Sequence, residues 1–304
     1  MNGSSTADFV YGSELQGRGF STDTDIKYGC FTTIISLVAS FGAIVNLHLI
    51  RNLKVFHNAF GFLWAMRTIG ELGSDITFAI YTGPVTIMQP SNIPPTLGLF
   101  AHQLSFTFSY VQCAMNLATA INRFVAVCYP LHYKRVFNKK FCLTIAGFVM
   151  LKALFIVSLF FSELDRDYSI IWKHLTPVCF AISCVVTRVI NAFTFAKIVY
   201  VRVSQKATYA NKDFRRDVRL FTLCVVQDIL MTITVLAIIL YNHQKGLGAI
   251  AVVLNLDGLI IIYVFNTASM AFCNPECRRY LFRRNKQVVF VANGSITGLV
   301  SPNK

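Results

Sequence analysis

Seven long apolar runs, at 28–50, 59–82, 97–121, 142–162, 175–201, 217–241 and 248–272, leave this chain few ways to fold. An α-helix needs roughly 20 residues to cross a hydrocarbon core of about 30 Å. A soluble domain spreads its apolar residues at helical or strand spacing and has no use for such runs. Here 55% of the 304 residues are apolar and 14% are charged, against about 25% charged in soluble domains. Inside a bilayer, backbone polar groups must be satisfied within the segment, which selects helices for runs of this length. The expected fold class is an all-α membrane protein, a seven-transmembrane helix bundle. Three parts follow: a polar tail over 1–27, the bundle over 28–272, and a second tail over 273–304.

The formal net charge of +14 would suit a nucleic-acid partner if it lay on one face of a soluble domain. It lies instead in the short segments between apolar runs. With residues 1–27 outside, and Arg219 at the inner edge of the sixth run counted as inner, the inner segments hold 19 Lys and Arg, the outer segments 5 and the rest of the spans 4. The positive-inside rule then places the amino terminus outside and the carboxyl terminus in the cytoplasm. That excludes nucleic acid as a partner and makes the lipid bilayer one. The nine cysteines form no CxxC metal pair, and most sit in apolar runs, where a thiol behaves as a small hydrophobe. No cofactor motif is present, and no signal peptide is visible in 1–27. Asn2-Gly3-Ser4 is a glycosylation sequon at the extreme terminus.

At the inner end of the third run stands Asn122-Arg123-Phe124, followed by Pro130-Leu131-His132-Tyr133. This resembles the Asp-Arg-Tyr and Pro-Leu-x-Tyr region of rhodopsin-like receptors. Asn266-Thr267-Ala268-Ser269-Met270, with Asn274-Pro275 beyond it, is similar to the family's Asn-Pro-x-x-Tyr end of the seventh span and its short amphipathic eighth helix. Gly42-Ala43-Ile44-Val45-Asn46 resembles the small residue and Asn of the first span. Asn58-Ala59-Phe60-Gly61, Arg67 and Gln227-Asp228 bring the sequence nearest to nematode serpentine chemoreceptors of class X (Srx). The resemblance covers roughly 28–284.

The resemblance implies a receptor that detects a small ligand outside and activates a heterotrimeric G protein inside. It assigns G-protein coupling to Asn122, Arg123, Phe124, Pro130 and Tyr133, and an activation switch to Asn46, Asp75 and Asn266. It places the chain in the plasma membrane, with sensory cilia the expected site, and leaves receptor dimerisation open. Departures from the pattern are specific. Thr267 and Met270 replace the Pro and Tyr of the seventh span, the sixth span has no Pro and the fourth no Trp. Gly98 stands where most such receptors carry a disulfide cysteine, so Cys179 lacks that partner. Asn122 supplies no carboxylate to pin Arg123, a role left open to an acid such as Asp217.

Arg67, Glu71 and Asp75 recur every four residues and share one stripe of the second span. Charges at membrane depth are costly and face the bundle interior in pairs. The stripe reads equally as a structural ladder and as a polar relay or ion site. Gln227, Asp228, Asn255, Asp257, Lys152 and Lys197 are further polar insertions whose pairing the sequence leaves open.

Ser105 falls where amine receptors of the resembled family carry an Asp, and Ile260 where opsins carry the retinal Lys. That argues against an amine anchor and a retinal Schiff base at those places. The outer cavity expected from Ser105, Phe106, Ser109 and Gln112, taken as one face of the third span, suits a small uncharged ligand. Any one of these residues serves equally well as packing.

Cys273 and Cys277 open a basic, aromatic stretch that reads as an interfacial amphipathic helix. They are candidates for palmitoylation, or two unmodified thiols.

HExxH, GxSxG and phosphate-loop motifs are absent, so an enzyme is not expected. The rival class is a transporter or channel subunit, because transport pathways also use intramembrane charge. Internal repeats of the transporter kind do not appear.

Overall fold

The computed structural model of the chain describes residues 17–160, 165–204, 226, 229–234, 249–274 and 276–281. Among these residues the regular structure is helical, with no strand. The elements are α1 (Asp23–Asn52), α2 (Ala59–Thr77), α3 (Gly83–Met88), α4 (Pro95–Cys128), α5 (Pro130–Val136), α6 (Lys139–Phe160), α7 (Asp165–Ser204) and α8 (Ala249–Cys273). Residues 229–234 of the sixth run and 276–281 of the second tail are also helical.

Several helices outrun their apolar stretches. α4 has 34 residues, about 50 Å at 1.5 Å per residue, more than a hydrocarbon core needs. Asp23–Asn52, Thr96–Cys128 and Phe180–Tyr200 are each long and apolar enough to cross a membrane, and Asp257–Ala271 is a shorter apolar helix.

Local chemistry sets the ends. Thr22 caps α1 in a capping box: its hydroxyl accepts from the Asp25 amide at 3.3 Å, and the Asp25 carboxylate accepts from the Thr22 amide at 2.9 Å. Two reciprocal bonds thus satisfy orphan donors of the first turn. Arg18 pairs with the same Asp25. Asn58 caps α2 by accepting from the Gly61 amide at 2.9 Å. Gly61 is needed there for space, since a Cβ on it would overlap the Phe56 carbonyl. Gly61→Ala is therefore expected to lose most surface protein; full expression and an unchanged melting temperature would refute this account of the α1–α2 corner.

Pro84 explains the break in the second crossing. Its ring removes one amide donor and crowds the carbonyl four residues back. The chain responds with a π-turn over Phe78–Thr82 before resuming as α3. The second crossing therefore continues past residue 82, where its apolar run ends, to Met88.

The packing is inverted relative to a soluble protein. α1 turns Ile34, Leu37, Val38, Phe41 and Ile44 outward and buries Ser36, Ala39, Ala43 and Asn46. α6 exposes Phe148, Leu151, Leu154 and Phe155 while burying Ala146 and Ala153. Large apolar groups outside and small ones at helix contacts are what lipid as solvent selects. α4 lies at the centre, packed on α2, α6 and α7, and α1 closes the bundle against α2, α3 and α8. At Gly70 the backbones of α2 and α4 nearly touch: an added Cβ would stand 2.9 Å from both the Gln112 amide nitrogen and the Phe108 carbonyl oxygen.

Candidate functional site

On α2, Phe60, Trp64, Arg67 and Glu71 follow one another at spacings of four, three and four, so they line a single stripe. α4 crosses this stripe closely because Gly70 allows it. The result is a polar core between α2, α4 and α8, continued by an aromatic patch toward the carboxyl end of α4.

Arg67 and Glu71 are 3% and 2% exposed. The Arg67 Nε donates to Glu71 Oε1 at 3.0 Å, and its Nη1 donates to Asn116 Oδ1 of α4 at 3.2 Å. Asn266 of α8 donates through Nδ2 to the same Glu71 oxygen at 2.8 Å. One carboxylate thus holds three helices together. Nearby, Asn46 Nδ2 donates to Thr267 Oγ1 at 3.3 Å. Thr267, which replaces the Pro of the resembled motif, supplies a hydroxyl that Pro lacks.

Asp75 stands apart from this pair. It is 0% exposed, and neither carboxylate oxygen has a hydrogen-bond partner. The three charges of the second span are therefore one ion pair and one separate acid, and Asn266 reaches Glu71 rather than Asp75. Asp257 of α8 accepts from the Thr32 hydroxyl of α1 at 2.8 Å. Lys152 lies over the Tyr110 ring at 5.2 Å and Lys197 over Tyr200 at 5.4 Å.

At the carboxyl end of α4, the Arg123 guanidinium lies over the Phe60 ring at 5.0 Å and the Trp64 ring at 5.8 Å. The Arg67 guanidinium lies over the same Trp64 ring at 5.3 Å. Trp64 is thus shared by the two arginines, and it joins the polar core to Arg123. Asn122 faces inward and donates through Nδ2 to the Tyr133 hydroxyl at 3.2 Å. Phe124 meets Tyr129 edge-on at 6.2 Å, and Pro130 opens α5.

On the third crossing, Ser105 and Ser109 are buried, and each shares a hydrogen bond of 3.3 Å with the Ser74 hydroxyl. Gln112 is buried beside Glu71. Phe106 does not share this inward face. It is half exposed and packs edge-on to His102 at 4.7 Å. Positions 105, 109 and 112 share one side of a helix, whereas 106 is turned about 100° from 105.

Cys277 is fully buried against Leu49, Ile50, Phe56 and Met270. Burial, with the Glu276 carboxylate adding to it, pushes its thiol up to about 12, so the nucleophilic thiolate is scarce. Cys273 ends α8, and its side chain is outside the described residues. So are Asn2, Asp217, Gln227, Asp228 and the side chains of Cys179 and Asn255.

Sequence reasoning missed the aromatic residues. Trp64 and Phe60 drew no attention as chemistry, although their spacing with Arg67 and Glu71 placed all four on one stripe.

Among the described residues, Arg123 is thus connected through Trp64, Arg67 and Glu71 of α2 to Asn266 of α8. The sequence profile of the serpentine type 7TM GPCR chemoreceptor Srx matches residues 35–274, and the chain belongs to that family. It is also similar to olfactory receptor 8H3 of Homo sapiens, 26% identical over 148 residues, which are 47% of this chain and 45% of the human receptor. The chain thus matches less than half the length of that curated relative.

Proposed function

We propose that the chain is a chemosensory receptor that binds a small, uncharged ligand in its outer half and activates a heterotrimeric G protein at its inner face. The observation that carries this reading is the seat of Arg123 on Phe60 and Trp64. Among the described residues, ring faces of the second crossing restrain the arginine, and no neighbouring carboxylate does so. A guanidinium over an aromatic ring gains about 0.5–2 kcal/mol, enough to hold a resting state and little enough for a ligand to overcome. Asn46, Asn266 and Glu71 form the part that a ligand's arrival would rearrange, and Asp75 lies beside it. Ser105 and Ser109, bonded to Ser74, give the outer half hydroxyl groups for a neutral ligand. The excess of Lys and Arg in the inner segments supports a plasma-membrane protein with its amino terminus outside, and the family supports sensory cilia.

The direct test is expression in a second-messenger reporter cell against a panel of volatile and water-soluble small molecules. A ligand-dependent response supports the reading. Tracer flux with no second messenger would favour the transporter alternative, for which the unpartnered carboxylate of Asp75 is the one specific feature.

The aromatic seat makes its own prediction. Phe60→Leu and Trp64→Leu together should raise basal second-messenger output several-fold, because removing about 1–2 kcal/mol shifts a two-state equilibrium by about that factor. Basal output equal to that of the unaltered chain would refute the restraint.

A further inference from the structure

We propose that Cys113, Cys184 and Met231 form a binding site for a soft monovalent metal ion of the Cu(I) class where α4, α7 and the sixth run meet. Two cysteines and a methionine from three helices line one small cavity of about 10 Å³, together with Asn116 and Thr187. That is about one probe sphere, room for a single atomic guest. Cys113, Cys184 and Met231 are all buried, and both cysteines are thiols. The two thiols lie close enough to act on each other, and Met231 packs with Cys184.

The donor set decides the class of ion. The hard donors at the cavity already serve other partners: the Thr187 hydroxyl bonds the Ser183 carbonyl at 2.8 Å, and Asn116 Oδ1 accepts from Arg67. Calcium and magnesium need six or more oxygen ligands. Structural zinc takes four nitrogen, sulfur or carboxylate ligands, and among the described residues no group of three His, Cys, Asp or Glu is placed to hold a metal. Thiolate and thioether sulfur select Cu(I).

Binding is a proton exchange. Cu(I) forms bonds to both sulfurs, the two S–H bonds break and two protons leave to water; copper stays Cu(I) throughout. The centre then carries one negative charge, and the Arg67 guanidinium, bonded to Asn116 on the same cavity wall, lies near enough to act on Cys113. Arg67 also faces Glu71, so the new charge enters an existing network.

The test uses the whole chain, purified in nanodiscs without oxygen and titrated with Cu(I) against a chromophoric chelator. The readout is metal binding, so it stands whatever becomes of the receptor reading. Cys113→Ser and Cys184→Ser are each expected to lose one equivalent of tightly held Cu(I). Cys142→Ser, at a buried cysteine of α6, should keep it. X-ray absorption should find three sulfur neighbours, falling to two in Met231→Leu, a change that preserves the packing. Copper uptake equal in all variants would overturn the proposal, as would a sulfur-poor spectrum or a Cys113–Cys184 disulfide with no copper bound by the reduced chain.

Discussion

Arg123→Ala is expected to abolish ligand-driven second-messenger output while leaving the receptor at the cell surface. The side chain lies at the carboxyl end of α4, and among the described residues it makes its contacts with ring faces, not with a buried carboxylate. Truncation therefore orphans no charge, and the stability cost stays near the one or two kcal/mol of the lost stacking. Loss of signalling would then report on coupling itself. Arg123→Lys sharpens the result. Lysine keeps the charge but lacks the planar group that spreads over two rings, so partial signalling with raised basal output is expected. Surface labelling beside the second-messenger assay separates the two effects. Undiminished signalling in Arg123→Ala would sink the coupling role.

The second large effect concerns Glu71. Its Oε1 takes hydrogen bonds from Arg67 and Asn266, and the site excludes solvent. Removing one partner of a buried pair costs about 3–5 kcal/mol, because the survivor is left charged and desolvated. Glu71→Ala should therefore lower the melting temperature sharply and retain most of the chain inside the cell. Replacing both partners, Arg67→Met with Glu71→Leu, should recover much of that loss, since apolar groups of similar volume carry no stranded charge. The double variant should fold yet signal poorly, because Asn266 no longer has its acceptor. Were Glu71→Ala as stable as the unaltered chain, the three-helix tie would have no energetic weight.

The helical bundle was legible because lipid imposes one simple rule, a run long enough to cross. The Arg67–Glu71 stripe was legible for a similar reason, since spacing along one helix fixes which side chains share a face. Partners across helices were not. Nothing in the spacing of Asn266 says that its amide meets Glu71 and not Asp75, and nothing in the spacing of Arg123 says that it lies over Phe60 and Trp64. Phe106 was grouped with Ser105 by adjacency in sequence, although adjacent helical residues diverge by about 100°. The sulfur cavity joins residues 113, 184 and 231, a separation that no local pattern bridges.

The π-turn at Phe78–Thr82 acts as a dial on the second crossing. A wider turn holds one residue more than the helix around it, so every position beyond it is rotated by about one residue's angle, about 100°. Gly83 and Ile87 come to face Gly29 of α1 as a result, and a face counted outward from Glu71 on a regular helix would point them elsewhere. Any ligand contact sought beyond the turn on this crossing has to be counted from Pro84, and deleting one residue of the turn would re-aim that rim of the bundle while leaving the half around Arg123 in place.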